Sequence, residues 1–478
     1  MTKDIFLNKS ALKRIHEASL QVLEKTGILI RADDEEIRHL LLSSGAIKDG
    51  EERILIPSTL VLEAIEKAKG GFTLYTRDGS PAFAVENGKT YFGPGSDALY
   101  NYDRKTGRLF PPDDMSMPYS STITDVRDNV RIADALGFDF MMSMSLPKEY
   151  GACDLYPAVF AEIIKNTDKP LVFTSTSLDE IKVIRELAEI VSPEVDEKPF
   201  YIAYLEPISP LRFDPTVTSR LLFCASHGIP VSFAAGANCG GGAPITPEGA
   251  VVQGNAESLA GLVVSTLKNE HMKFIYGANT SAMDMNTIIV CYGAPEWFKT
   301  VAMYAELGRF YGLPSWGTAG CSDARVINAQ AGLEAYEGIV MALLSGSTMV
   351  HDVGYLGHGE VYHGGMLVLT KTMIDRARFL LKMPDTSDDS LSVEVIDAVA
   401  RKKGELYLSQ PHTVRHFRDS LWFAPRYFEK GLMEDWDANR FQDQLNEEAG
   451  RILDSCIPNV PNGVQMTRIT ERLDQISG

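Results

Sequence analysis

Cysteine is scarce in this 478-residue sequence: there are six, at positions 153, 224, 239, 291, 321 and 456. They fall singly, without a CxxC pair or the density of a disulfide framework, so a cystine-stapled scaffold is excluded and free thiols in a reducing cytosol are expected. No run approaches the ~20 apolar residues of a membrane helix. The opening MTKDIFLNKS lacks the basic-then-apolar pattern of a signal peptide. Basic residues are in deficit, 46 Lys and Arg against 64 Asp and Glu, for a net charge of −18. That deficit argues against a broad nucleic-acid footprint while leaving room for a local anion site. No GxGxxG follows the first strand, no Walker lysine accompanies the glycine-rich run NCGGGAPITPEG (238–249), and HExxH is missing. A soluble cytoplasmic protein of ordinary globular composition, 45% hydrophobic and 23% charged, is the expectation.

The chain opens with helical periodicity. Ser10 is placed to cap a helix bearing Leu12, Ile15, Ser19, Val22 and Leu23 on one face, with Gly27 at its stop. Two more helices follow Asp33–Asp34 and Ser58. From Phe72 to Phe110, short β-rich runs are separated by Asp78-Gly79, Asn87-Gly88 and Thr106-Gly107, which read as hairpins. Strands and helices then alternate. The strand-like runs are 138–145, 170–176, 200–206, 229–236, 273–279, 313–320 and 347–354, with YFGPGS (91–96) as an eighth. One intervening helix starts at Thr246 with Pro247 in its first turn, and another carries Leu333, Tyr336, Val340, Leu343 and Leu344 at helical spacing. Repeated βα units without a dinucleotide fingerprint predict an α/β fold: a (β/α)8 TIM barrel with a helical N-terminal preface (1–70), β-hairpin elaboration at the start of the barrel (71–374), and a helical C-terminal extension (375–478) packed on it.

A barrel of this kind carries its active site on the loops after the strands' C-terminal ends. The unusual residues fall there: Asp97, Glu206, Asn279, Cys321, Asp323 and His351, with Gln330 and Glu334 opening the helix behind the glycine-rich turn GTAGCSDARVINAQAGLE (317–334). Tyr204, Phe233, Tyr276, Trp316 and Tyr355 lie in or just past the same strands. Any one of these aromatics reads as core filler. Several near one rim read as a pocket whose π-faces would hold a desolvated cation, at roughly 0.5–2 kcal/mol each. Glu206, ending an apolar strand, needs a partner or a polar cavity. The stretch 351–363 offers His351, His358 and His363, but glycines interrupt it and no pair has the spacing that aligns two ligands on one helical face. A metal-dependent lyase or hydrolase is therefore disfavoured, and no protein-bound metal is expected.

Taken together, FGPG (92–95), LEPISPL (205–211), LPSWGTAGCSDARVINAQAGLE (313–334), HDVGYL (351–356) and HTVRHF (412–417) resemble the trimethylamine methyltransferase (MttB-like) family over nearly the whole chain. The resemblance implies a barrel enzyme that moves a methyl group from an amine to the cobalt of a cobalamin or other corrinoid carried by a separate corrinoid-binding protein. The trimethylamine enzymes carry a pyrrolysine in the barrel, whereas this chain shows only the twenty ordinary residues. That departure points to the members lacking pyrrolysine, which resemble demethylases of quaternary amines such as glycine betaine. Proline betaine, carnitine, γ-butyrobetaine and choline share the onium group and stay open. So does a non-catalytic quaternary-amine sensor on the same barrel. The expected substrate-binding set is Tyr204, Glu206, Phe233, Tyr276, Trp316, His351 and Tyr355, with Asp97, Asn279, Cys321, Asp323, Gln330 and Glu334 in support. No obligatory catalytic side chain is expected, and the chain is expected to form a homo-oligomer.

Overall fold

The computed structural model describes residues 5–103, 106–151, 154–402, 404–430 and 440–477; Cys153 lies outside them. Seven regular strands run in parallel around a central axis: β1 (Tyr91–Pro94), β2 (Leu171–Phe173), β3 (Tyr201–Leu205), β4 (Val231–Ala235), β5 (Phe274–Ala278), β6 (Trp316–Thr318) and β7 (Met349–Val353). Pairings β2–β3–β4–β5 and β6–β7–β1 form two arcs. A bridge from Tyr276 to Ser315 joins them on one side. On the other side the extended segment 138–145 supplies the eighth stave, bridged through Met141 to Leu171 and bonded from Asp139 N to Phe92 O. The barrel is closed, and each stave is followed by a helix on its outer face.

Strand alternation divides the core into two layers. Phe140, Met142, Val172, Ile202, Ala234, Ile275, Trp316 and Met349 fill the barrel interior. The hairpin 72–85 plugs its N-terminal end with Leu74 and Val85, Tyr75 N bonding Pro199 O just before β3. The alternate residues meet the surrounding helices in the larger outer core. Of the predicted hairpin turns, Asp78-Gly79 joins a paired hairpin and Thr106-Gly107 a short one bridged from Asp103 to Arg108. Asn87-Gly88 does not, because the strand after it, β1, pairs in parallel with β7 instead.

Local signals at the helix ends are mostly confirmed, with two differences. The first helix spans Lys9–Lys25, and its N-cap is Asn8, whose side chain accepts from Ala11 N; Ser10 lies two residues further in, inside the first turn. Thr246 and Pro247 open Pro247–Lys268 as expected. In Ala329–Ser345 the buried face is Ala331, Ala335, Gly338, Ile339 and Ala342, while Leu333 and Leu344 are exposed. Small residues win that face because the neighbouring helix Pro295–Tyr311 approaches closely: a Cβ on Gly338 would sit 2.8 Å from the Phe298 ring. The N-terminal segment also contains a small sheet, Ile28–Ile30 with Arg53–Leu55 and Arg212–Phe213, which its helical periodicity does not announce. No helix among the described residues is long and apolar enough to cross a membrane.

Candidate active site at the barrel mouth

Above the apolar layer, the inward positions of successive strands become polar. In β3 the inward series Ile202, Tyr204 continues to Glu206; β6 adds Thr318 above Trp316, and β7 adds His351 above Met349. With Asn279, the polar members of this set form one hydrogen-bonded chain, Glu206–Tyr204–Asn279–Thr318–His351. The Tyr204 hydroxyl donates to Glu206. Asn279 Nδ2 donates to the Tyr204 oxygen at 2.6 Å. Thr318 Oγ1 lies 3.3 Å from Asn279 Oδ1 and 3.2 Å from His351 Nε2. The His351 imidazole stacks on Trp316 at 4.6 Å, and Tyr204 stands 5.5 Å from the same indole.

Backbone irregularity brings two neighbours to one side. Asp352 has φ 67, and the β7–β1 register shifts between Val350 and Val353. The left-handed turn defeats strand alternation, so Asp352 Oδ1 comes within 2.6 Å of His351 Nδ1. It lies off the line of an aligned hydrogen bond, and among the described residues Nδ1 has no other partner. Trp316 Nε1 is likewise buried without a partner among them. Asp97, at φ 72, is a second left-handed position at the mouth. The FGPG motif acquires a reason here. A Cβ on Gly93 would fall 2.3 Å from Phe140, and one on Gly95 2.4 Å from the Tyr355 ring and 2.6 Å from Asp352 Oδ1.

Electrostatically the mouth is electron-rich. Burial raises the Glu206 carboxyl, opposed by the hydroxyl of Tyr204 and by His351. Burial pushes Asp97 up to about 6, against contacts from Ser96, Tyr156 and Thr174. Desolvation also raises the phenols of Tyr204 and Tyr292 well above their ordinary value. Yet Asp97, Tyr204, Glu206, Asn279 and Tyr292 all retain accessible surface. These groups are desolvated by the surrounding protein yet still reachable by water, and together they bring carboxyls and π-faces to the barrel mouth.

The structure gathers some of the predicted residues and separates others. Tyr204, Glu206, Asn279 and His351 belong to the hydrogen-bonded chain, Trp316 stacks on His351, and Asp97 lies at the edge of the set. Tyr355 is at the mouth, its hydroxyl spent on the Ser96 carbonyl. Phe233 and Tyr276 are elsewhere. As immediate neighbours of inward Ala234 and Ile275 they face the helical layer, Phe233 beside Phe213 at 5.3 Å and Tyr276 bonding Asn255 at 2.7 Å. Strand alternation sorts both once the closed sheet fixes Ala234 and Ile275 as the inward positions. Thr318 was available from its spacing to Trp316, whereas Tyr292, in the excursion after β5, follows no strand periodicity.

The turn after β6 is a brace. Glu334 accepts from Ser322, from Asp323 N at 2.9 Å and from Gln330 at 2.9 Å. Asp323 in turn accepts from Tyr292 N at 2.6 Å and Gly293 N at 3.1 Å, and lies 3.0 Å from His358 Nδ1. The acidic pair thus positions the Tyr292 loop and the loop after β7. Cys321 is fully buried, 3.5 Å from the Tyr292 carbonyl, and burial pushes its thiol well above the ordinary value. A thiol held protonated is a poor nucleophile. Cys321→Ala is therefore expected to leave turnover near that of the unaltered protein; loss of turnover in a folded variant, with trapping of a modified Cys321 by mass spectrometry, would oppose this.

In a closed (β/α)8 barrel, aromatic and acidic side chains gathered at the C-terminal mouth stand where barrel enzymes of this architecture act on small molecules. The chain belongs to the trimethylamine methyltransferase (MTTB) family, whose model matches residues 3–473. It is 28% identical over 457 residues to trimethylamine methyltransferase MttB of Methanosarcina thermophila, covering 92% of this chain and 90% of that protein. It is 23% identical over 460 residues to glycine betaine methyltransferase of Desulfitobacterium hafniense (strain Y51), covering 95% and 93%. In fold it is similar to the Methanosarcina barkeri monomethylamine methyltransferase (MtmB), with a TM-score of 0.50 at 12% identity, across all of this chain and 88% of that one.

Proposed function

We propose that this methyltransferase takes a methyl group from a quaternary amine, with glycine betaine the preferred candidate, and delivers it to a corrinoid carried by a partner protein. The observation that carries this reading is the set of groups gathered at the barrel mouth. The rings of Tyr204 and Tyr292 and the carboxyls of Glu206 and Asp97 retain accessible surface there, with Trp316 packed beneath them, a set that suits a cation unable to donate hydrogen bonds. The ordinary residue set of the chain agrees: a quaternary nitrogen already carries its positive charge and leaves as a neutral amine, so no activating side chain is required. Reduced cobalt would supply the nucleophile. The task left to the protein is to hold the onium, exclude water and aim one methyl outward.

The other end of a betaine is an anion among carboxyls, and it needs donors. The stacked pair of Trp316 and His351 offers them, since Trp316 Nε1 has no partner among the described residues and His351 Nδ1 has no aligned one. The test is methyl transfer to reduced cobalamin across glycine betaine, proline betaine, carnitine, γ-butyrobetaine, choline and trimethylamine. Methylcobalamin formed from a betaine supports the reading. Turnover of trimethylamine alone overturns it, and tight betaine binding without any transfer would make the chain a sensor.

Asp97 predicts a pH dependence. Its carboxyl ionises near pH 6 in the free protein, and an onium ligand favours the ionised form. Affinity should therefore rise as pH passes upward through about 6, with proton release on binding below that value. Calorimetry in buffers of different ionisation enthalpy checks this, and Asp97→Asn should flatten the profile.

A further inference from the structure

The tail contains a side-chain cluster that the barrel chemistry does not use. His412 and His416 lie four residues apart on the helix Pro411–Ser420, with their rings 4.3 Å apart. Both Nε2 atoms turn toward Asp389, on the short helix Asp388–Leu391: His416 Nε2 is 2.7 Å from Asp389 Oδ2, and His412 Nε2 is 3.0 Å from the Asp389 carbonyl and 2.6 Å from Ser392 Oγ. Arg415 occupies the second carboxylate oxygen, Oδ1, at 3.1 Å. One ligand atom from each of Asp389, His412 and His416 lies within 4.8 Å of the other two.

We infer that Asp389, His412 and His416 form a binding site for a divalent transition metal of the zinc type, which clips the helix 411–420 to the segment 388–392. Two imidazoles at i, i+4 present their nitrogens on one helical face, and a carboxylate from a second element completes three corners of a tetrahedron. Ligand bonds of about 2.0–2.2 Å require the three side chains to close by roughly an ångström, a movement open to half-buried groups at the surface. Ser392 or a water takes the fourth corner. Arg415 neutralises the non-ligating oxygen and orients the carboxylate, as an outer-shell partner does. The site is structural: among the described residues, neither Asp388–Leu391 nor Pro411–Ser420 has a fully buried side chain to hold it. The histidine spacing was visible in HTVRHF, but its carboxylate partner, 23 residues before His412, was not.

The experiment uses the full chain stripped of metal and titrated with Zn2+ and Co2+. Saturable binding is expected, with the visible d–d bands of tetrahedral Co2+ and slower hydrogen exchange over residues 388–420. His416→Ala and Asp389→Asn should each weaken Zn2+ by more than the roughly 10–100-fold that loss of an outer-shell partner costs. Asp389→Asn keeps the size and polarity of the side chain and so separates lost ligation from misfolding. His358→Ala, in the loop after β7, should bind as the unaltered chain does. Absence of saturable binding, or binding that His412→Ala, His416→Ala and Asp389→Asn leave unchanged, would overturn the inference and leave a direct histidine–carboxylate contact in its place.

Discussion

Glu206→Gln is expected to weaken binding of a quaternary ammonium by tenfold or more while leaving the fold in place. A unit charge about 6–8 Å from an onium, at an effective dielectric of about 20, is worth about 2–3 kcal/mol. The burial that raises the Glu206 carboxyl works against its charged form and so offsets part of that figure. Glutamine keeps the shape and can still meet the Tyr204 hydroxyl and Asn279, so stability should change little. The loss should appear in KM and Kd more than in the rate at saturation, because the onium charge is present in the ground state and dispersed as the methyl leaves. Equal affinity of Glu206→Gln and the unaltered protein for glycine betaine, measured by calorimetry, would remove Glu206 from the onium site.

His351→Ala should separate substrates by their far ends. A donor bond to a buried carboxylate is worth about 1.5–3 kcal/mol, so a betaine should bind on the order of tenfold or more weaker. The surrounding carboxyls of Glu206 and Asp352 make the loss larger, since nothing then offsets their repulsion of the substrate anion. Choline has no carboxylate and should lose much less. The substitution also opens a gap against Trp316, and choline serves as the internal control for it. Equal losses for both ligands would assign His351 to packing or to the approach of the corrinoid.

The sequence by itself determined the barrel and the rim on which chemistry sits. Apolar runs at βα spacing, Thr246-Pro247 at a helix start and Gly27 at a helix end act through local sterics and short-range hydrogen bonds, so they read directly from neighbouring residues. Tyr204, Glu206, Asn279, Trp316 and His351 were reachable by the same route, because strand ends in a closed parallel barrel share one mouth. Tertiary structure decided which face each aromatic took. Phe233 and Tyr276 look no different in composition from Tyr204, and only the parity of the closed sheet sends them to the helical layer. It also decided the His351–Asp352 pairing, which alternation forbids and a positive φ at Asp352 permits. The roles of Asp323 and Glu334 as braces, of Tyr292 as a wall and of Asp389 as partner to His416 rest on contacts between segments remote in the chain or reached through loops. No local periodicity carries that information, because those contacts are set by where the closed barrel and its tail bring separate loops together.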